Sequence, residues 1–244
     1  MRKAALFASL ILAVFAGVSC GEKSDTKKDT EATTAAEEAV TTTAEVTVAS
    51  EENATEAVED IEEFDPKEGT AFKEGKIEGN VYTSEYAGMK FTVPEGVEFM
   101  DKQELDEMVQ QSIASLHGND KLQIMAKVTE AEIFEPDTMT IVDIGFHNIK
   151  RLHPDNADMT AEEFIEEDVI APVRELDVDI TEPETVKLGG REFTKVKISE
   201  KTDADTYQNL YASRIDDDFI MFITAFPGKI GDEAAFESCF EAIK

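Results

Sequence analysis

Residues 219–226 read FIMFITAF, and this stretch decides the fold because apolar side chains occupy nearly every position. Successive side chains of a β-strand point to opposite faces of the sheet, so a strand with water on one face alternates apolar and polar residues. In FIMFITAF both alternate faces are apolar. The stretch therefore predicts a central strand that is covered on both sides.

Hairpins surround this strand in the sequence. The segment YQNLYASRI at 207–215 precedes it and is joined to it through Asp216–Asp218, residues whose type favours turns. Upstream, TVKLGGREFTKVKIS at 185–199 predicts a hairpin that turns at Gly189–Gly190. Two further hairpins are predicted, with turns at Ala87–Gly88 and at Pro136–Asp137. The pattern favours an antiparallel sheet.

Helical periodicity supplies the layers that cover this sheet. Asp101 and Glu104 predict a capping box, and the helix they open ends at His117–Gly118. Its apolar stripe recurs every three or four residues, at Leu105, Met108, Val109, Ser112, Ile113 and Leu116.

Two later helices follow the same logic. Thr160 and Glu163 open one of them, and Pro172 should kink or restart it because proline lacks the backbone N–H. Its apolar side carries Phe164, Ile165, Val169 and Val173. A terminal helix from Asp232 carries Phe236, Cys239, Phe240 and Ile243 on one stripe. The predicted fold class is α+β, a three-layer domain at residues 80–244 with helices on both faces of an antiparallel sheet.

The order of these elements resembles the PsbP-like fold. The resemblance begins at YAGMKFTVPEG and runs through a helix, a hairpin that ends in VDIGFHN, the helix TAEEFIEEDV, two hairpins and a terminal helix. It is similar to the domains of uncharacterised lipoproteins from Gram-positive bacteria and implies the same three-layer architecture. Plant members of this fold assist photosystem II, but no residue of this sequence carries that role over. A shared fold does not by itself imply a shared function.

The first residues predict an export signal. Arg2 and Lys3 precede an apolar run of fifteen residues, Ala4 to Val18, which is shorter than the roughly 20 residues of a membrane span. FAGVSCG resembles the lipobox of bacterial lipoproteins, although Gly17 stands where that family prefers Leu. The resemblance implies a signal peptide at 1–19 and a lipid on Cys20, which would anchor the protein on the extracytoplasmic face of the cell membrane. A secreted protein with a Cys20–Cys239 disulfide is the alternative.

The segment 20–79 predicts a disordered acidic linker. Residues 31–66 contain twelve acidic residues and no Lys or Arg, interleaved with Thr and Ala. Such a composition buries too little apolar surface to offset the entropy of ordering the chain. The linker should therefore act as a spacer between the membrane and the domain.

Charge excludes one class of partner. The chain has a net charge of −31 and lacks a basic stripe, so nucleic acid is not an expected partner. Acidic clusters in turns, at Asp155–Asp158, Asp203–Asp205 and Asp216–Asp218, lack the EF-hand order, so no metal or cofactor site is assigned.

No catalytic residue is assigned either. His117, His147 and His153 are expected on the surface without a chemical role, and Cys239 is expected as an inert thiol on an apolar helix. We expect a non-catalytic binding or accessory module, with an envelope protein as the partner. A receptor for a small cationic ligand or calcium, and an envelope hydrolase, are the alternatives.

Overall fold

The computed structural model describes residues 62–244, apart from the side chains of residues 203–205. The predicted signal peptide, Cys20 and the linker up to residue 61 lie outside the described residues. Within 62–244, none of the helices has the length and apolar character that crossing a bilayer requires.

Eleven strands and six short α-helices make up the described part of the chain. The strands are β1 Lys76–Glu78, β2 Val81–Ser84, β3 Met89–Thr92, β4 Lys127–Glu135, β5 Thr140–Asn148, β6 Val178–Ile180, β7 Glu184–Leu188, β8 Arg191–Glu200, β9 Asp203–Arg214, β10 Phe219–Pro227 and β11 Phe240–Ala242. The helices are α1 Lys102–Ser115, α2 Gly118–Met125, α3 Ile149–Leu152, α4 Ala161–Phe164, α5 Ala171–Val173 and α6 Glu233–Ser238.

The large sheet has the order β4-β5-β10-β9-β8-β6, with β7 also paired to β8, and neighbouring strands in it are antiparallel. FIMFITAF is β10 and lies in the middle of this order. Phe219, Met221 and Ile223 belong to one buried cluster, whereas Ile220 and Phe222 belong to another on the opposite face. The prediction that this strand is covered on both sides is confirmed.

Different layers cover the two faces. The helical region 149–173 packs on the face that carries Ile220 and Phe222, which we call the helical face. A four-stranded sheet of order β1-β2-β3-β11, together with α6, packs on the other face. The α+β class and the antiparallel sheet are confirmed, and one outer layer is mainly a second sheet rather than helices alone.

Local signals placed the turns and one helix start correctly. Gly189 and Gly190 both have positive φ, 55° and 84°, which suits the tight turn between β7 and β8. Thr160 and Glu163 form the predicted capping box. A π-helical turn, Ile165–Ile170, precedes Pro172, and α5 restarts around this proline.

Two helices differ from their predictions. On α1 the side chain of Leu105 is buried, as is that of Leu116 just after the helix, whereas Val109 and Ile113 are only half-buried. The terminal helix ends at Ser238, and the next residues form β11, which pairs with β3. The apolar stripe of the predicted helix therefore runs from α6 into β11, where the side chain of Phe240 packs in the same buried cluster as Phe236.

Residues 62–79, which the sequence analysis assigned to the linker, pack on the domain. The ring of Phe72 lies 5.0 Å from Tyr86, 5.2 Å from Phe146 and 5.1 Å from Phe219, measured between centroids. The Asn148 side chain donates a hydrogen bond to the Pro66 carbonyl at 2.7 Å. The folded part of the chain therefore begins upstream of residue 80.

Candidate functional site

A cleft of about 660 Å³ lies between helix α1 and the segment that leads into β1. One wall is α1, with Val109 and Ile113; the other is formed by residues 63–67 and 74–78. Residues 127–130 of β4 form the floor. Small-molecule and peptide sites commonly have this volume and this mixture of apolar walls and polar groups.

A second cavity of about 700 Å³ lies next to the first, between β1 and the loop 94–102. Ile77 and Lys102 line both cavities. The two cavities therefore adjoin at these residues, and we call them together the β1 groove.

Glu130 joins the floor of the groove to its wall. Both of its carboxylate oxygens accept the Gly75 N–H at 2.9 Å, and Oε2 also accepts the Tyr82 hydroxyl at 2.6 Å. A Cβ on Gly75 would lie 2.6 Å from the Tyr82 ring and 2.7 Å from Glu130 Oε2, so only glycine allows this approach. Burial raises the pKa of Glu130, and the bonds from Tyr82 and Gly75 oppose that rise.

Two other carboxylates in the groove are held by cations. Glu74 pairs with Lys67 at 2.6 Å, and Asp106 pairs with Lys102 at 2.5 Å. A hydrolase that uses two carboxylates needs a close pair whose environments separate their pKa values. These groove carboxylates are instead tied to separate donors.

A β-bulge between Thr129 and Ala131 sets the chemistry of the floor. Regular alternation would put Glu130 and Glu132 on the same face of β4. The extra residue turns Glu130 towards Tyr82 of the small sheet, while Glu132 stays opposite Asp143 on the helical face. Two glutamates that look equivalent in sequence therefore have different partners.

Behind the floor, three charged side chains form a row on the helical face. Lys127 Nζ lies 2.7 Å from Asp143 Oδ1, and Glu132 is the register partner of Asp143. The lysine reaches Asp143 by crossing Gly145, where a Cβ would lie 2.5 Å from Lys127 Cε. Glu132 is only 4% exposed. Its pKa is raised to about 7, chiefly by burial and also by the charge of Asp143, against the opposing effect of Lys127.

His147 lies at the end of this row, and its predicted surface position is wrong. It is 1% exposed and packs between the rings of Phe164 and Phe222, at 5.1 and 5.8 Å. Neither ring nitrogen has a hydrogen-bond partner among the described residues. Burial lowers the pKa of His147 well below its ordinary value, and the charges of Lys127 and His153 act in the same direction. The imidazole is therefore held neutral in an apolar core.

The other two histidines differ from His147. His117 is exposed, as predicted. His153 is half-buried, and its Nε2 lies 2.7 Å from Asp168 Oδ2. Asp168 also accepts a hydrogen bond from Gln123 at 2.7 Å, so this aspartate ties α2 to the π-helical turn.

On the opposite side of the sheet, Lys195 is enclosed by carboxylates. Its amine contacts Glu233, Glu237 at 2.8 Å and Glu184 at 3.3 Å, above the ring of Tyr211. Burial acts to lower the pKa of Lys195, but the bonds from Glu233 and Glu237 outweigh it and raise the pKa. A lysine that stays protonated is a structural cation and not a nucleophile.

Cys239 carries a thiol whose Sγ donates to the Ala235 carbonyl at 3.3 Å. Burial raises its pKa, which disfavours the reactive thiolate. Cys20, the predicted lipid attachment site, lies outside the described residues.

In the acidic turn cluster Asp216–Asp218, the carboxylate of Asp216 is occupied by hydrogen bonds. Asp216 Oδ1 accepts the N–H groups of Asp218 and Phe219, and its Oδ2 accepts the Tyr86 hydroxyl. Among the residues of 62–244 whose side chains are described, which leaves out 203–205, no group of three or more His, Cys, Asp or Glu is arranged to hold a metal ion.

Sequence reasoning did not find the groove, Glu130, Glu132 or Lys195. One sequence feature bears on the groove. The apolar stripe of α1 includes Val109 and Ile113, and the structure leaves both side chains only half-buried.

The fold is similar to that of a solved structure, whereas comparisons of the sequence find no relative. No protein-family model matches the chain, and no curated protein matches it. The solution structure of cyanobacterial PsbP (CyanoP) from Synechocystis sp. PCC 6803 is similar at a TM-score of 0.39 and 11% sequence identity. The likeness covers 71% of this chain and 98% of that one. A similarity of this size carries no argument about what this chain does.

Proposed function

We propose that this protein is a lipid-anchored module on the extracytoplasmic face of the cell membrane, and that its α+β domain binds an envelope protein without catalysing a reaction. The β1 groove is the proposed binding surface. The observation that carries the proposal is that Val109 and Ile113 stay half-buried on the wall of a cleft of about 660 Å³.

The chemistry of the groove supports binding over catalysis. Glu74, Asp106 and Glu130 are each held by a lysine or by hydrogen-bond donors, as described above. A general acid or base must instead reach the proton that it transfers in the bound substrate. Apolar walls with fixed polar groups suit recognition of a ligand.

The anchor is supported by sequence alone. The apolar run that precedes Cys20 is too short to span a bilayer, and the acidic segment that follows would hold the domain away from an anionic surface. Intact mass of the mature protein tests this part. A mass increase equal to a diacylglyceryl group on Cys20 is expected, and an unmodified cysteine would make the protein secreted.

A capture experiment tests the groove. The chain from Gly21 onwards would be cross-linked to envelope extracts as wild type, as Ile113→Arg and as Gln110→Arg, which changes an exposed cavity-lining residue. Ile243→Arg is the matched control, because Ile243 is 39% exposed and lines neither cavity. A partner that binds wild type and the control but neither groove variant supports the proposal. A partner retained by all four proteins removes the groove as the binding surface.

A further inference from the structure

The β1 strand has an open edge that faces the groove. It is the first strand in the order β1-β2-β3-β11, and no strand among the described residues pairs with its outer side. All three of its residues are exposed, and Ile77 is 37% exposed. An unpaired edge is a template on which another chain can add a strand.

The turn after β1 determines which backbone groups point outwards. Glu78 and Val81 are register partners on either side of the two-residue loop Gly79–Asn80. Gly79 has φ 61°, as the first central position of a type II′ turn requires. In such a hairpin the flanking pair exchanges both hydrogen bonds, so the N–H and C=O of Ile77 point away from β2.

The neighbouring outward position is already occupied. Alternation places Gly75 on the same edge as Ile77, and the Gly75 N–H is donated to Glu130. An incoming strand would therefore pair at Ile77 first. Its side chains would lie between β1 and the half-buried Val109 and Ile113 of α1.

Charge selects the chemistry of the incoming segment. The two cavities that form the groove are lined by nine carboxylates and four lysines. Three of these lysines pair with carboxylates, Lys67 with Glu74, Lys102 with Asp106 and Lys127 with Asp143. The remaining excess of negative charge favours a basic occupant and repels an acidic one.

This charge disfavours the acidic part of the chain's own linker as the occupant of the groove. Residues 31–61, which lie outside the described residues, contain acidic side chains and no Lys or Arg, so the negative charge of the groove disfavours them as its occupant. A basic segment of another protein fits this charge better.

We propose that the β1 groove binds an extended basic peptide segment of a partner protein, which adds as a strand at Ile77 and places an apolar side chain against Val109 and Ile113. The proposal rests on the groove being the binding surface, as argued above. Main-chain hydrogen bonds would hold the segment, and alternate side chains would supply specificity.

The test uses the chain from Gly21 onwards and two synthetic peptides, one alternating Lys and Val over seven residues and one alternating Glu and Val. Binding would be followed by changes in backbone amide NMR signals. The basic peptide should perturb Ile77 and the α1 wall and bind about tenfold or more tightly than the acidic one. Equal binding of the two peptides would overturn the choice of a basic segment.

Ile77→Pro tests the added strand, because proline removes the outward N–H without removing a hydrogen bond to β2. About tenfold weaker binding is expected, whereas the control Ile77→Val should bind as wild type does. Thermal unfolding would show that both variants are folded. A basic peptide with an N-methylated backbone repeats the test from the ligand side, and tight binding of that peptide would contradict strand addition.

The two proposals fail in different ways. If Ile113→Arg abolishes capture of the partner but Ile77→Pro leaves peptide binding unchanged, strand addition is wrong and the groove is still the binding surface. If Ile113→Arg changes neither capture nor peptide binding, the proposed function itself fails.

Discussion

Replacing Glu132 with Gln should stabilise the protein, and the gain should increase with pH. The pKa of Glu132 is raised to about 7 in the folded protein from an ordinary value of 4.5. Between these values the folded state binds more protons than the unfolded state, so this group makes the wild type less stable as the pH rises. Gln is neutral at every pH and of similar shape, so Glu132→Gln removes this loss.

The size of the effect follows from the two pKa values. The interval from 4.5 to about 7 at about 1.4 kcal/mol per pH unit gives about 3 kcal/mol at pH 8. At pH 5 the carboxyl is protonated in the folded state, whereas in the unfolded state the pH is only slightly above its pKa, and the gain falls to about 1 kcal/mol. The difference in unfolding free energy between variant and wild type should therefore grow by about 2 kcal/mol from pH 5 to pH 8.

Urea denaturation of the chain from Gly21 onwards at pH 5, 6, 7 and 8 measures this difference. His147 has the opposite pH dependence, because its lowered pKa costs stability as the pH falls below about 6.5, but it is present in both proteins and cancels. Glu135→Gln is the matched control on β4, since the ion pair with Lys229 lowers the pKa of Glu135 and the substitution should act in the opposite direction. If the stability gained by Glu132→Gln does not vary with pH, the conclusion that Glu132 is a buried carboxyl without a compensating partner is refuted.

Three further predictions concern packing. Gly145→Ala should lower the unfolding free energy by about 1–3 kcal/mol, measured by urea denaturation, because the new Cβ displaces Lys127. The double variant with Lys127→Ala should lose less stability than the sum of the losses of the two single variants. His147→Phe should raise the unfolding free energy by about 1 kcal/mol. His153→Phe should lower it, because the contact with Asp168 is broken. A loss of stability in His147→Phe would show that its ring nitrogens are hydrogen-bonded. Phe72→Ala should lower the unfolding free energy by about 3 kcal/mol and increase amide hydrogen exchange across residues 62–79. Unchanged exchange there would show that this segment does not pack on the domain.

The amino-acid sequence determined the features that depend on neighbouring residues. FIMFITAF predicted a strand buried on both faces, Gly189–Gly190 predicted a turn that needs positive φ, and Thr160 with Glu163 predicted a helix start. Each of these depends on strand alternation, glycine's conformational freedom or a local hydrogen bond, which act within a few residues.

Only the tertiary structure decided which polar groups became buried. His147 and Asp143 lie on the strand face that alternation assigned to solvent, but the helical region 149–173 covers His147 there. The bulge after Thr129 separates Glu130 from Glu132, although their spacing in sequence places them on one face.

The β1 groove likewise exists only in the folded protein. Its walls come from residues 63–78, from α1 and from the start of β4, which are far apart in the chain. Alternation and capping report which faces of an element are apolar. Which of these faces is covered, and which stays open to a ligand, depends on the packing of elements distant in sequence, and that packing left Val109 and Ile113 half-buried beside the open edge of β1.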